Sequence, residues 1–140
     1  MTDLWPDFKE VPKKKTPNII LEGQASLLKL KTQDIVQAEV KRSPGSTYFR
    51  GEFIQLPFIY EFFIKAPVLK YKYKLFSIAY DILLYPTYFD IDREIEKEIL
   101  KGNQGQINAN NEEEYREILK KIFNSQKTTA IIQAIISQVT

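Results

Sequence analysis

Apolar positions along this chain repeat with two different periods, and the switches between them divide it into three stretches. From Pro17 to Lys31 the spacing is helical: Ile20, Leu21, Ala25, Leu27 and Leu28 share one side, while Glu22, Lys29 and Lys31 lie outside it. Thr16 is placed as the N-cap, with Pro17 at the first helical position, where a missing N–H is no loss. Gly23 costs such a helix up to about 1 kcal/mol against Ala, so a close approach to a neighbouring sheet is expected there. The helix should end near Lys31-Thr32.

From Ile35 to Asp90 the period becomes two. Val36, Ala38 and Val40 alternate with Gln37, Glu39 and Lys41, the pattern of a half-buried strand. Ser43-Pro44-Gly45-Ser46 is a turn signal, since Pro presets one φ and Gly supplies a positive one. A strand over residues 47–56 follows, then one over 58–65, then an alternating and finally all-apolar run from Val68 to Tyr85. That run is long for one strand, where about five or six residues is usual, so it must bend or split near Phe76. Pro57 and Pro67 cannot donate to a ladder and belong at strand starts, bulges or edges. Their spacing predicts an antiparallel meander of three to four strands, with 87–90 an extended tail.

The last third returns to helical spacing. Asp92 caps a segment in which Ile95, Ile99 and Leu100 share a side, and Gly102 suits a left-handed C-terminus. The polar run 102–111 reads as a loop. Asn111 and Glu114 then resemble a capping box ahead of the stripe Tyr115, Ile118, Leu119, Ile122 and Phe123. Ser125 caps a final segment carrying Ile131, Ile132, Ile135, Ile136 and Val139; it reads as a helix, although its β-branched residues leave a strand open. The order defines an α+β fold: an N-terminal helix, the meander sheet, and C-terminal helices packed on it. Residues 17–140 form a single domain. Residues 1–16, with Pro6 and Pro12, read as an irregular arm packed on that domain, held by Trp5 and Phe8. Residues 58–65 are apolar at both parities, so the second sheet face should be covered too, by the C-terminal helices or by another subunit.

Composition narrows the chemistry. The 140 residues include no cysteine and no histidine, which excludes disulfides, thiolate nucleophiles, Cys/His zinc sites and imidazole acid–base work. No phosphate-cradling glycine loop or nucleophile elbow is present. The acids Asp90, Asp92, Glu94, Glu96 and Glu98 lack the spacing of a calcium loop and alternate with Lys97 and Lys101, as a solvated helix face does. No catalytic, cofactor-binding or metal-ligating residue is therefore expected. A net charge of +2 sets up no global field for a polyanion. Lack of cysteine and of a signal-peptide pattern points to the cytoplasm.

What remains is an apolar surplus, and it points to a non-catalytic protein–protein interaction module whose partner is another protein or a second copy of itself. Trp5, Phe8, Tyr71, Tyr73, Ile132 and Ile136 are the expected interface residues. The alternative is a nucleic-acid or anionic-surface binder built on Lys13, Lys14, Lys15, Lys70, Lys72 and Lys74. Alternation works against it, because it sets Lys70, Lys72 and Lys74 opposite Tyr71 and Tyr73; edge protection is the commoner duty of such lysines.

Overall fold

The computed structural model describes residues 1–102 and 105–140. Helix α1 (Pro17–Lys31) precedes strand β1 (Gln37–Ser43), a hairpin of β2 (Ser46–Phe49) and β3 (Glu52–Gln55), and then β4 (Phe58–Ala66). A single 3-10 turn at Pro67–Leu69 leads into β5 (Tyr71–Tyr80), followed by β6 (Thr87–Ile91) and α2 (Arg93–Leu100). The chain closes with the short β7 (Asn108–Ala109), α3 (Glu112–Phe123) and α4 (Gln126–Val139). The fold is α+β. The main antiparallel sheet has five strands in the order β1-β4-β5-β6-β7, and β2-β3 forms a separate two-stranded unit. The four-strand upper bound expected of the meander is thus exceeded. The run 47–56 is a hairpin rather than one strand, and 87–91 is a strand of the main sheet. The loop expected over 102–111 falls partly outside the described residues, and its far end holds β7.

Local chemistry accounts for the helix ends. Asp92, Asn111 and Ser125 each accept a hydrogen bond from the backbone N–H three residues on, capping α2, α3 and α4. Thr16 occupies the cap position of α1 without such a bond. Gly23 has no close neighbour: a Cβ there would meet nothing within 4 Å, so the expected close approach to the sheet does not occur. The Gly23→Ala variant should therefore gain about 0.5–1 kcal/mol of stability in a urea melt; a loss would mean the helix is crowded at that point.

One sheet face carries the helices. Val40, Phe62 and Phe76 lie side by side across it, as do Ala38, Ile64 and Tyr73, and all four helices supply residues to the same core, among them Leu21, Ile95, Tyr115 and Ile135. The register shifts between Phe62 and Phe63, leaving Leu75 as the extra residue of β5. That bulge lets Tyr73 and Phe76, an odd number of residues apart, both face the helices.

The opposite face is divided. Ile59 and Ala79 are sealed beneath Phe49 of the hairpin, with Ile54, Leu56 and Tyr88 packed around them. The rest is charged: Lys72 and Lys74 pair with Glu39 and Glu61 at 2.7 and 3.4 Å, and the Lys72 ammonium sits 4.3 Å from the centre of the Phe63 ring. The second face is thus partly covered by the chain's own hairpin, and not by the C-terminal helices, one of the two covers that the pattern had led us to expect. Lys72 and Lys74 belong to a central strand and Lys70 ends the 3-10 turn just before it, so edge protection is not their role; the edges are β1 and the two-residue β7.

Arg50 anchors the hairpin. With Gly51 it forms the tip, at φ 55° and 78°, the left-handed pair that a two-residue type I′ turn requires. Its backbone N–H donates to Asp90 Oδ2 at 2.9 Å, while its guanidinium donates to the carbonyls of Phe89 and Ile107 at 2.5 and 2.6 Å. Arg50→Ala should cost about 2–3 kcal/mol by removing the guanidinium bonds to the Phe89 and Ile107 carbonyls, of which Ile107 keeps a bond from the Phe89 N–H. An unchanged denaturation midpoint would mean that Phe49 and its apolar neighbours hold the hairpin alone.

Candidate functional site

Two hollows bear on the expected interface. The first lies in the helical layer between α1 and α4, with Leu27 and Leu28 on one wall, Phe62 and Ile64 at the floor, and Phe123 and Ile132 opposite. Its volume is about 160 Å³, below the roughly 300–1,000 Å³ of typical small-molecule sites. It has room for a side chain or two. Ile132 is one of the residues singled out from sequence; Ile136, one turn on, packs half-buried against the main core.

The second hollow, about 470 Å³, opens where the chain enters α1. Phe58, Tyr60 and Tyr80 form its back, Ile82, Leu83 and Leu84 one side, and Lys14 and Thr16 the rim. Phe58 stacks on Tyr80 at 5.2 Å between ring centres, and Arg42 lies over Phe58 at 5.3 Å. The Tyr80 hydroxyl donates to Asn18 Oδ1 and the buried Tyr115 hydroxyl donates to the Pro17 carbonyl, both at 2.9 Å. Burial pushes both phenols above their ordinary pKa, so they remain donors. These two bonds fix the root of the arm beside the hollow.

The arm itself is exposed from residue 1 to residue 15. Trp5 and Phe8 are 76% and 64% exposed, and their rings approach each other at 6.3 Å. The expected anchoring of the arm by these two rings is not seen. A turn at Phe8-Lys9, followed by bends at Glu10 and Val11, directs them to one another, and the turn-free residues 12–16, where Pro17 favours an extended chain before it, join the arm to its root.

Tyr71 and Tyr73 are separated in role. Tyr71 is exposed, whereas Tyr73 is half-buried and donates from its hydroxyl to the Asp92 carboxylate. Lys127 of α4 joins them, 3.0 Å from Asp92 Oδ1, with its ammonium 4.9 Å from the Tyr73 ring centre. Burial works against the Asp92 charge, but the bonds from Tyr73 and Lys127 outweigh it and hold the carboxyl below its ordinary value. The bond to Asp92 raises Tyr73, and contact with the Tyr73 oxygen and Asp92 raises Lys127. The shifts reinforce one another: acid ionised, lysine and phenol protonated. A general base or nucleophile needs the opposite displacement of Lys or Tyr. This cluster is a lock tying β5, α2 and α4 together.

The six lysines of the alternative reading do not form one patch. Lys14 stands at the Tyr80 end of β5, whereas Lys72 and Lys74 lie six to eight residues away along the strand, or roughly 20–26 Å at 3.3 Å per residue, with Lys70 just beyond its start. Among the described residues no group of three or more acidic side chains is arranged to hold a metal ion, and no helix is long and apolar enough to cross a membrane. Sequence reading missed Ile82 and Leu83, which are 69% and 83% exposed. The signal lay in Asp81 and Pro86, which bracket them and end the strand before they begin. Comparison with protein-family models, curated proteins and solved structures returned no match.

Asp92→Asn keeps the helix cap but removes the charge facing Lys127, and should cost about 1–2 kcal/mol; Asp92→Ala should cost about 1 kcal/mol more through the lost cap. Because the folded carboxyl lies below its unfolded value near 3.8, its contribution is full above that value and disappears as pH falls through the folded one. The stability gap between wild type and Asp92→Asn, followed by urea denaturation, should therefore close on acidification. A gap unchanged down to about pH 2 would contradict the lock.

Proposed function

We propose that this chain is a non-catalytic protein–protein interaction module, a small accessory protein of the cytoplasm that works by apolar association with another chain or with itself. The observation that carries the reading is the exposure of Trp5 and Phe8 on an arm where, among the described residues, the aromatic neighbour of each is the other. Large aromatics at the centre of an interface supply much of its binding energy, whereas on an isolated surface they are an unrelieved cost in water. The groove between α1 and α4, with Ile132 in its wall, adds a second apolar feature too small for a cofactor. The Tyr73–Asp92–Lys127 cluster supports the non-catalytic side of the reading, because its protonation states suit structure rather than reaction.

Nucleic-acid or anionic-surface binding is the weaker reading. Lys72 and Lys74 already face Glu39 and Glu61, and their strand end is remote from Lys13–Lys15. Sedimentation velocity across a concentration series at low and high salt, about 50 and 500 mM, separates the two. Apolar association should be nearly indifferent to salt and should weaken at least about tenfold in the Trp5→Ser/Phe8→Ser variant. Polyanion binding would instead fall steeply with salt and be abolished by changing Lys70, Lys72 and Lys74 together to Glu. Association insensitive to the two arm substitutions would contradict the proposal.

A further inference from the structure

We infer that the arm of one copy docks in the hollow of a second copy, in a reciprocal exchange that makes a two-fold dimer. The inference rests on the interaction reading above and names its partner. Arm and hollow each expose apolar surface next to a fixed point of the fold. The arm carries Leu4, Trp5, Phe8 and Val11, all exposed. The hollow presents the exposed Ile82 and Leu83 beside Phe58 and Tyr60, and at about 470 Å³ it admits a large ring.

The arm's own hollow is the wrong target for it. Tyr80 and Tyr115 hold Asn18 and Pro17, so the arm begins at the rim of that hollow, next to Lys14. Folding back would require a reversal between Val11 and Thr16. Pro12 and Pro17 bias the residues before them to extended conformations, and Lys13, Lys14 and Lys15 repel one another in any tight turn. Phe8, six residues from Lys14, lies past a turn at Phe8-Lys9 and bends at Glu10 and Val11, and the roughly 20 Å of a fully extended span is the upper bound of its reach from the rim. That reach carries its ring clear of the rim and across to a neighbouring molecule.

Charge and area agree with a second copy. The outer arm bears Asp3, Asp7 and Glu10 against the single Lys9, whereas Lys14 lines the hollow and Arg42 lies over its Phe58; of the two acids adjoining the lining in sequence, Glu61 is already paired with Lys74, which leaves Asp81 beside Ile82. An acidic outer arm thus meets a basic rim, which an arm docked on another copy satisfies twice. Each aromatic buries roughly 150–250 Å². Two arms, counted with the surface they cover, reach the roughly 1,200 Å² at which specific interfaces begin.

The chain has no cysteine, so contact can be read by introducing two. Phe8→Cys/Leu83→Cys replaces two exposed side chains, and a melt matching wild type confirms that the fold is kept. Under mild oxidation the full chain should form a covalent dimer, twice 16.4 kDa, with peptide mapping showing position 8 of one chain joined to position 83 of the other. A bond within one chain would overturn the second-copy assignment and give the hollow to the chain's own arm. A chain that forms no 8–83 bond yet still sediments above monomer overturns the exchange while leaving the interaction reading intact. A chain that forms no bond and remains monomeric overturns the exchange and moves the interaction reading to a different protein as partner.

Discussion

Strands β4 and β5 carry apolar side chains on both faces, and the rest of the molecule is arranged around the need to keep water from each. On one face Phe62, Ile64, Phe76 and Ile78 meet α1 through α4 in a single core. On the other, Ile59 and Ala79 need cover that no helix supplies. The chain meets this need with an insertion between β1 and β4, which pair with each other across it: the hairpin of β2 and β3, folded over the sheet. Apolar contact alone would leave so short a unit marginal, since an isolated two-stranded hairpin is barely stable in water. Arg50 makes up the difference by reaching across to the carbonyls of Phe89 and Ile107.

Much of this was legible before the structure. The three caps at Asp92, Asn111 and Ser125 follow from side chains that accept from a backbone N–H three residues on, a local interaction that sequence spacing encodes directly. The strand β1 and the opposite placement of lysines and tyrosines along β5 follow from period two. The hairpin was hidden because Arg50-Gly51 lacks the Asn-Gly or Asp-Gly pair that usually marks a type I′ turn. Arg50 adopts a left-handed conformation for contacts forty to nearly sixty residues away, which no local pattern records. The break after Tyr80 was obscured because Ile82, Leu83 and Leu84 continue an apolar run while the chain has already left the sheet.

The candidate site divides in the same way. Ile132 lines a groove and Trp5 and Phe8 stand exposed, but Tyr73 is committed to Asp92 and Lys127, and Ile136 to the core. Periodicity identifies which face a residue occupies; it does not say whether a neighbour from another element will reach it. Lys127, thirty-five residues from Asp92, is such a neighbour. The ionisable groups of that cluster are held in their structural protonation states, whereas Trp5 and Phe8 remain exposed.

Trp5 is the only tryptophan in the chain, which makes it a direct reporter of whether that surface is used. Its fluorescence emission should be that of a water-exposed indole in dilute solution, and should shift to shorter wavelength as protein concentration rises and the ring enters a second copy. An emission maximum that stays at the water-exposed position across the whole concentration range would contradict self-association through the arm.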